Sequence, residues 1–274
     1  MSNLDHFAKK TALILYPLRE KGLLKYKWEK GCGKPESWEN ELVKETYRKC
    51  TSLSEGERLI EFRNKFERLW NDADDRKKFA YVEWIVKEWG KIRNIKCDTL
   101  KTYVELLKRE NPAAVEPIKL TPASYSKCLA FLFPDEYYIY DSRVALALSV
   151  ITYVTELPNE VTFQKAAAKS EATNKIAKLV EIDEEVEPVQ KLEESIKCIN
   201  YADYCSLVRG IAKATLPDFN PQLVEQDLFM LGGYIRDQLK EQIAKWPKVD
   251  QETQLPPEFL MELKTKLKGI LQLR

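Results

Sequence analysis

Apolar residues in this chain recur mostly at helical spacing. Ser54 and Glu57 have the form of a capping box, and behind them Leu59, Ile60, Phe62, Phe66 and Leu69 share one face. A second helix follows in "RKKFAYVEWIVKEWG", with Phe79, Val82, Trp84, Ile85, Val86 and Trp89 as its core side and Gly90 as its stop. Asp98 is placed to cap "TLKTYVELLKRE", which ends before Asn111-Pro112. Thr121 and Pro122 form an N-cap and first-turn pair for a helix over 122–133, closed by Pro134. Asp141 or Ser142 can cap the next one, over 143–154.

Further along, the pattern predicts helices near 161–181, 188–199, 201–215, 222–242 and 256–272, punctuated by prolines 188, 217, 221, 247, 256 and 257. The first fifty residues are ambiguous, because Pro17, Gly22, Gly31 and Gly33 interrupt any long helix. No alternating strand pair, repeat or low-complexity tract stands out. The expected class is mostly α, with two helical lobes and the 111–141 segment near the middle. Residues 1–75 read as an N-terminal helical extension with no assigned role and 76–274 as the main helical domain, the alternative being one continuous domain with 1–75.

Composition narrows the classes. At 274 residues, 44% hydrophobic and 32% charged, the chain is long enough for a real core and has the profile of a soluble globular protein. Nine glycines are too few for a fold built on many tight turns. The net charge of +1 shows no global basic excess, so nucleic-acid binding would rest on a local patch. Residues 1–50 hold 11 Lys/Arg against 7 Asp/Glu, whereas 171–200 hold 4 against 8. A bound polyanion should therefore lie away from the second stretch, although both also read as ordinary solvated helix surface.

The start, MSNLDHFAKK, lacks the plan of a secretory signal, and no apolar run approaches a membrane span. The six cysteines show no CxxC, which suits reduced thiols in a cytoplasmic protein. Cys198 and Cys205 are spaced like the first step of an iron–sulfur loop, but no further cysteines follow, so no cofactor or metal is expected. With His6 as the only histidine, classical zinc sites and Ser-His-Asp catalysis are excluded.

Candidate chemistry centres on Lys127 and Asp141. Lys127 is the only charge between Lys119 and Asp135, and it opens a run of apolar residues. Phe133 ends its helix after ~9 Å of rise, and the return segment 134–140 can span up to ~23 Å. Asp141 can therefore fold back beside Lys127. Desolvation disfavours a charged amine, while a nearby carboxylate favours it. An amine so placed can attack an electrophilic sugar or carbonyl carbon, and the carboxylate can orient it, take its proton or stabilise an oxocarbenium charge. The structural alternative is a lysine that snorkels to water and an aspartate that only caps a helix.

The string Ser126-Lys127-x-Leu129-x-Phe131-Leu132-x-Pro134, followed by Tyr138-Ile139-Tyr140-Asp141-Ser142-Arg143-Val144-Ala145-x-Ala147-Leu148, resembles the heart of the helix-hairpin-helix DNA glycosylase superfamily. It is most similar to bacterial proteins with an 8-oxoguanine DNA glycosylase fold. "WGKIRNI" at 89–95 and "YADYCSLVRGIA" with "VEQDLFMLGGYI" in 201–235 are consistent with it. The resemblance implies a helical glycosylase-like fold with a degenerate helix-hairpin-helix, and DNA ahead of RNA as partner. Lys127 would be the nucleophile at C1′ and Asp141 the assisting carboxylate. It also implies DNA repair or bacterial antiviral defence, the latter with defence-system partner proteins. Where the family usually has a Gly-x-Gly turn gripping a phosphate, "EPIKLTPASYSK" has no glycine. Thr121, Ser124 and Ser126, with Arg143, are the residues left to contact nucleic acid. Tyr138, Tyr140, Phe229 and Tyr234 (with Tyr137) are candidates for a flipped-base pocket, each with core packing as the alternative. Gly232-Gly233 would admit a ligand closely or kink a helix. The competing functional readings are a catalytically inactive relative that binds nucleic acid or a partner protein, and a helical interaction protein.

Overall fold

The structure is a computed structural model. It describes residues 3–26, 40–50, 54–109, 122–155, 161–163, 173–179, 197–216, 219–243, 246 and 257–273. The chain is mostly helical. It divides into two compact units: unit 1 comprises Met1–Lys25 with Ser142–Arg274, and unit 2 comprises Tyr26–Asp141. Residue 75, the expected end of an N-terminal extension, is the first residue of a helix inside unit 2.

Unit 2 contains α2 (Glu41–Arg48), α3 (Glu55–Asn71), α4 (Asp75–Glu83), α5 (Cys97–Leu107) and α6 (Pro122–Leu132). The capping box of α3 forms as the sequence predicts: Ser54 accepts from the Glu57 N–H, and the Glu57 carboxylate accepts from the Ser54 N–H at 3.2 Å. α4 runs on without a break into a π-helix, Trp84–Trp89. There the wider turn buries three consecutive residues, Trp84, Ile85 and Val86, together with Trp89. The core is aromatic. Phe62, Phe66, Trp84 and Phe131 pack at centroid distances of 5.5–6.0 Å, and Trp89 lies 4.8 Å from Phe131. Trp84 and Trp89 are thus core residues, as expected.

α5 begins at Cys97 with Lys96 in the cap position, so Asp98 sits inside the first turn instead of capping it. Gly90 ends the π-helix with an ordinary φ of −77°, and the left-handed residue is its neighbour Lys91, at φ 53°. The glycine is therefore needed for a reason other than backbone hand, given below.

Unit 1 contains α1 (Asn3–Glu20), α7 (Ser142–Thr155), a helical segment α8 at 173–179, α9 (Tyr201–Thr215), α10 (Pro221–Ile243) and α11 (Pro257–Ile270). α1 corrects the expectation that Pro17 prevents a long N-terminal helix. Pro17 lies in the last turn, and the Leu13 carbonyl it leaves without an amide belongs to a residue 75% exposed, where water can serve it. Gly22, at φ 71°, then closes α1 with Leu23 N–H on Leu18 O at 3.0 Å.

Two predicted helices are corrected in part. Residues 161–163 form β1 (Val161–Phe163) and residues 197–199 form β2 (Lys197–Ile199), a parallel pair with Val161 opposite Lys197. A three-residue ladder between segments this far apart in sequence leaves no local alternation to read. Residues 164–172, 180–181 and 188–196 of those expected helices lie outside the described residues.

α7 is buried along nearly its whole length, from Val144 to Val154. α10 crosses it through Gly232. A Cβ built there would stand 2.0 Å from the Arg143 carbonyl oxygen, whereas one on Gly233 meets nothing within 4 Å. The pair does not end α10, which runs on to Ile243. Gly232 admits the backbone of α7.

Candidate active site

Lys127 occupies the second turn of α6 and its side chain is 9% exposed. α6 is almost entirely buried, so the lysine stem lies among apolar residues and only its ammonium group needs polar partners. One is the Ala123 carbonyl of its own helix, which accepts a hydrogen bond from Nζ at 2.8 Å. Another is Asp141, whose Oδ2 lies 3.9 Å from Nζ; the Asp141 side chain is 16% exposed. At that separation the attraction is Coulombic, without a formed hydrogen bond. Unit charges ~4 Å apart attract by about 1 kcal/mol in water and about 4 kcal/mol at the effective dielectric near a protein surface.

What brings the two together is a residue beside each of them. Tyr140 N–H donates to Ser126 Oγ at 3.1 Å, and Ser126 Oγ–H donates to Tyr140 O at 3.3 Å. One buried hydroxyl thus bonds both backbone groups of Tyr140 and fixes the return segment on α6. The next residue on each side is Lys127 and Asp141. The spacing of fourteen residues is the same for both pairs.

The opposite wall of the lysine is Gly90. A Cβ at this position would lie 3.0 Å from Lys127 Cδ and 2.8 Å from the Val86 carbonyl oxygen. The π-helix and its terminal glycine thus form the slot in which the lysine methylenes run. Neither contribution is legible locally. A π-turn has no residue signature, and Gly90 reads as an ordinary helix stop.

The other predicted site residues are distributed as follows. Ser124 is fully buried, and its hydroxyl lies 2.6 Å from the Tyr103 hydroxyl. Ser126 is 2% exposed and engaged with Tyr140, so neither serine presents its hydroxyl at the surface. Thr121 lies outside the described residues. Tyr138 is buried with its hydroxyl donating to Asp135 O at 3.1 Å, and Tyr140 is buried as well. Tyr137 is half-buried and meets Phe133 edge-on. Arg143, Phe229 and Tyr234 belong to unit 1. The Arg143 guanidinium lies over the Phe229 ring at 4.5 Å, and Tyr234 is half-buried on α10.

Cys128, next to Lys127, is buried, and desolvation pushes its thiol up, out of the range in which it would act as a thiolate, although the lysine charge opposes this. Among the described residues no group of three His, Cys, Asp or Glu side chains is arranged to hold a metal ion, and no helix is long and apolar enough to cross a membrane.

The site's chemistry is therefore that of one amine in an apolar slot, one partly exposed carboxylate across from it, and a buried hydroxyl that sets their separation. No family model matches the chain, and neither a curated protein nor a solved structure matches it.

Proposed function

We propose that this protein is a DNA N-glycosylase with associated lyase activity, of the helix-hairpin-helix type, with Lys127 as nucleophile and Asp141 as assisting carboxylate. The observation that carries this reading is the Lys127 ammonium, on a side chain 9% exposed, 3.9 Å from Asp141 Oδ2. An amine held among apolar residues with a carboxylate across from it is an arrangement suited to nucleophilic attack on a sugar carbon.

In the proposed reaction Asp141 takes a proton from the ammonium, and the freed lone pair forms a bond to C1′ of a modified nucleoside. The glycosidic C1′–N bond breaks, its electron pair leaves with the base, and the base takes up the proton held by Asp141, which returns to its carboxylate form. Asp141 faces the positive charge that develops on the sugar as the bond stretches. Ring opening gives an iminium between Lys127 and C1′, from which β-elimination cleaves the strand. In this reading α5 and α6 stand for a hairpin that has lost its glycines, with Asp141 ahead of the helix that follows, and the two compact units stand for the two lobes of the fold. The setting is cytoplasmic, in repair or in defence against phage nucleic acid.

A second reading is favoured by one contact. The hydrogen bond from Lys127 Nζ to Ala123 O is what a purely structural lysine makes, and it suits a catalytically inactive relative that binds nucleic acid or a partner protein. Borohydride trapping on oligonucleotides carrying an abasic site or 8-oxoguanine separates the two. Under the first reading a covalent adduct forms with the wild type and is absent in Lys127→Ala. Tight binding without an adduct on either substrate supports the second.

A further inference from the structure

Between Glu88 and Asp98 the chain carries Lys91, Arg93 and Lys96 and no acidic residue. This stretch leaves the π-helix at Gly90, the residue that backs the Lys127 side chain, so the cationic loop begins at the wall of the lysine slot. Its start is tied down: Gly90 N–H donates to Ile85 O at 2.8 Å and Ile92 N–H to Val86 O at 3.0 Å. Ile92 and Ile95 are half-buried and anchor the loop, while Arg93, Asn94 and Lys96 are exposed.

The flanking lysines are neutralised within the chain. Lys87 pairs with Glu83 at 2.7 Å and Lys101 with Asp98 at 3.4 Å. Arg93 and Lys96 have no such acidic partner among the described residues. Lys91 holds a left-handed backbone that glycine or asparagine would adopt at lower cost. A small loop that half-buries its isoleucines and leaves Arg93 and Lys96 exposed is suited to a polyanion whose charges are fixed along a chain.

We infer that Lys91–Lys96 is a phosphate-binding loop, in which Arg93 and Lys96 hold backbone phosphates of the DNA strand whose sugar meets Lys127. The identity of that strand rests on the glycosylase reading above; the loop would supply the grip that the glycine-free hairpin lacks.

The test uses the full chain and a short fluorescent duplex with one central abasic site, with binding followed by anisotropy over a range of salt. The double variant Arg93→Gln/Lys96→Gln is expected to lower the slope of log K against log salt by about 1.8, two phosphate contacts at ~0.9 each. Arg48→Gln/Arg76→Gln removes the same charge from exposed positions on α2 and α4 and should leave the slope near that of the wild type. Equal slopes for the two double variants overturn the assignment, as does salt-independent binding by the wild type. An acidic peptide that binds as tightly as DNA, and loses as much affinity in the loop variant, overturns the choice of nucleic acid. Borohydride trapping at saturating duplex keeps the two proposals apart. A wild type that binds with the expected slope but gives no adduct rejects the glycosylase reading and supports the loop.

Discussion

Replacing Ser126 by alanine asks whether one hydroxyl sets the distance between the amine and the carboxylate. The substitution removes the acceptor for Tyr140 N–H and the donor for Tyr140 O, on a residue 5% exposed, where water has little access. A net hydrogen bond is worth about 1 kcal/mol, and a buried backbone group left without a partner costs about 1–3 kcal/mol. The 3.1 Å bond to N–H should count in full and the longer 3.3 Å bond to C=O for less, so the expected loss is about 2–3 kcal/mol. Denaturant unfolding followed by tryptophan fluorescence measures it, with buried Trp84 reporting on unit 2. Since residue 140 is then free to move from α6, Asp141 should drift from Lys127 and adduct formation in borohydride trapping should fall. Ser126→Thr keeps the hydroxyl and should recover most of both. A Ser126→Ala protein within about 0.5 kcal/mol of the wild type, with trapping unchanged, would refute the reasoning.

Three other outcomes follow from the geometry. Gly232→Ala places a Cβ 2.0 Å from the Arg143 backbone and should cost about 3 kcal/mol or more, whereas Gly233→Ala enters open space in the same helix and should stabilise by about 0.5–1 kcal/mol; thermal unfolding of both variants checks the contrast. Gly90→Ala crowds the Val86 carbonyl and the Lys127 stem, and is expected to destabilise by about 1–3 kcal/mol and to lower trapping by more than it lowers DNA binding, since it displaces the amine and leaves the loop cations in place. Burial pushes the Asp227 carboxyl up to about 7, and the Arg19 guanidinium at 3.4 Å, itself 26% exposed, opposes this only in part. The folded state therefore holds the proton more tightly than the unfolded chain. Stability should fall as pH rises from about 4 to about 7, by at most about 4 kcal/mol, and Asp227→Asn should flatten that slope in denaturation midpoints.

Local rules carried most of the helices. The Ser54–Glu57 box, the 201–215 helix, and the stops near Pro134 and Gly22 all depend on neighbours three or four residues away, which a linear sequence displays directly. The sequence also singled out Lys127 and Asp141 as a pair, because one charge in an apolar helix and a carboxylate after a short return segment can be seen in one dimension. It misread what depends on partners far along the chain. Gly232 reads locally as a kink, a helix end or a ligand contact, whereas its role is to admit α7; Gly90 is the helix stop the sequence predicts, but its second role beside the Lys127 stem has no local sign. Ser126 was assigned to nucleic acid, but in the folded unit its hydroxyl holds the backbone of Tyr140. The β1–β2 ladder was invisible because a parallel pairing of three residues has no local period. Sequence alone determined which residue types could do the chemistry and roughly where helices begin and end. Tertiary packing decided their separation of 3.9 Å, because that distance is set by a buried hydroxyl and a missing Cβ, and neither has meaning until its partner is in place.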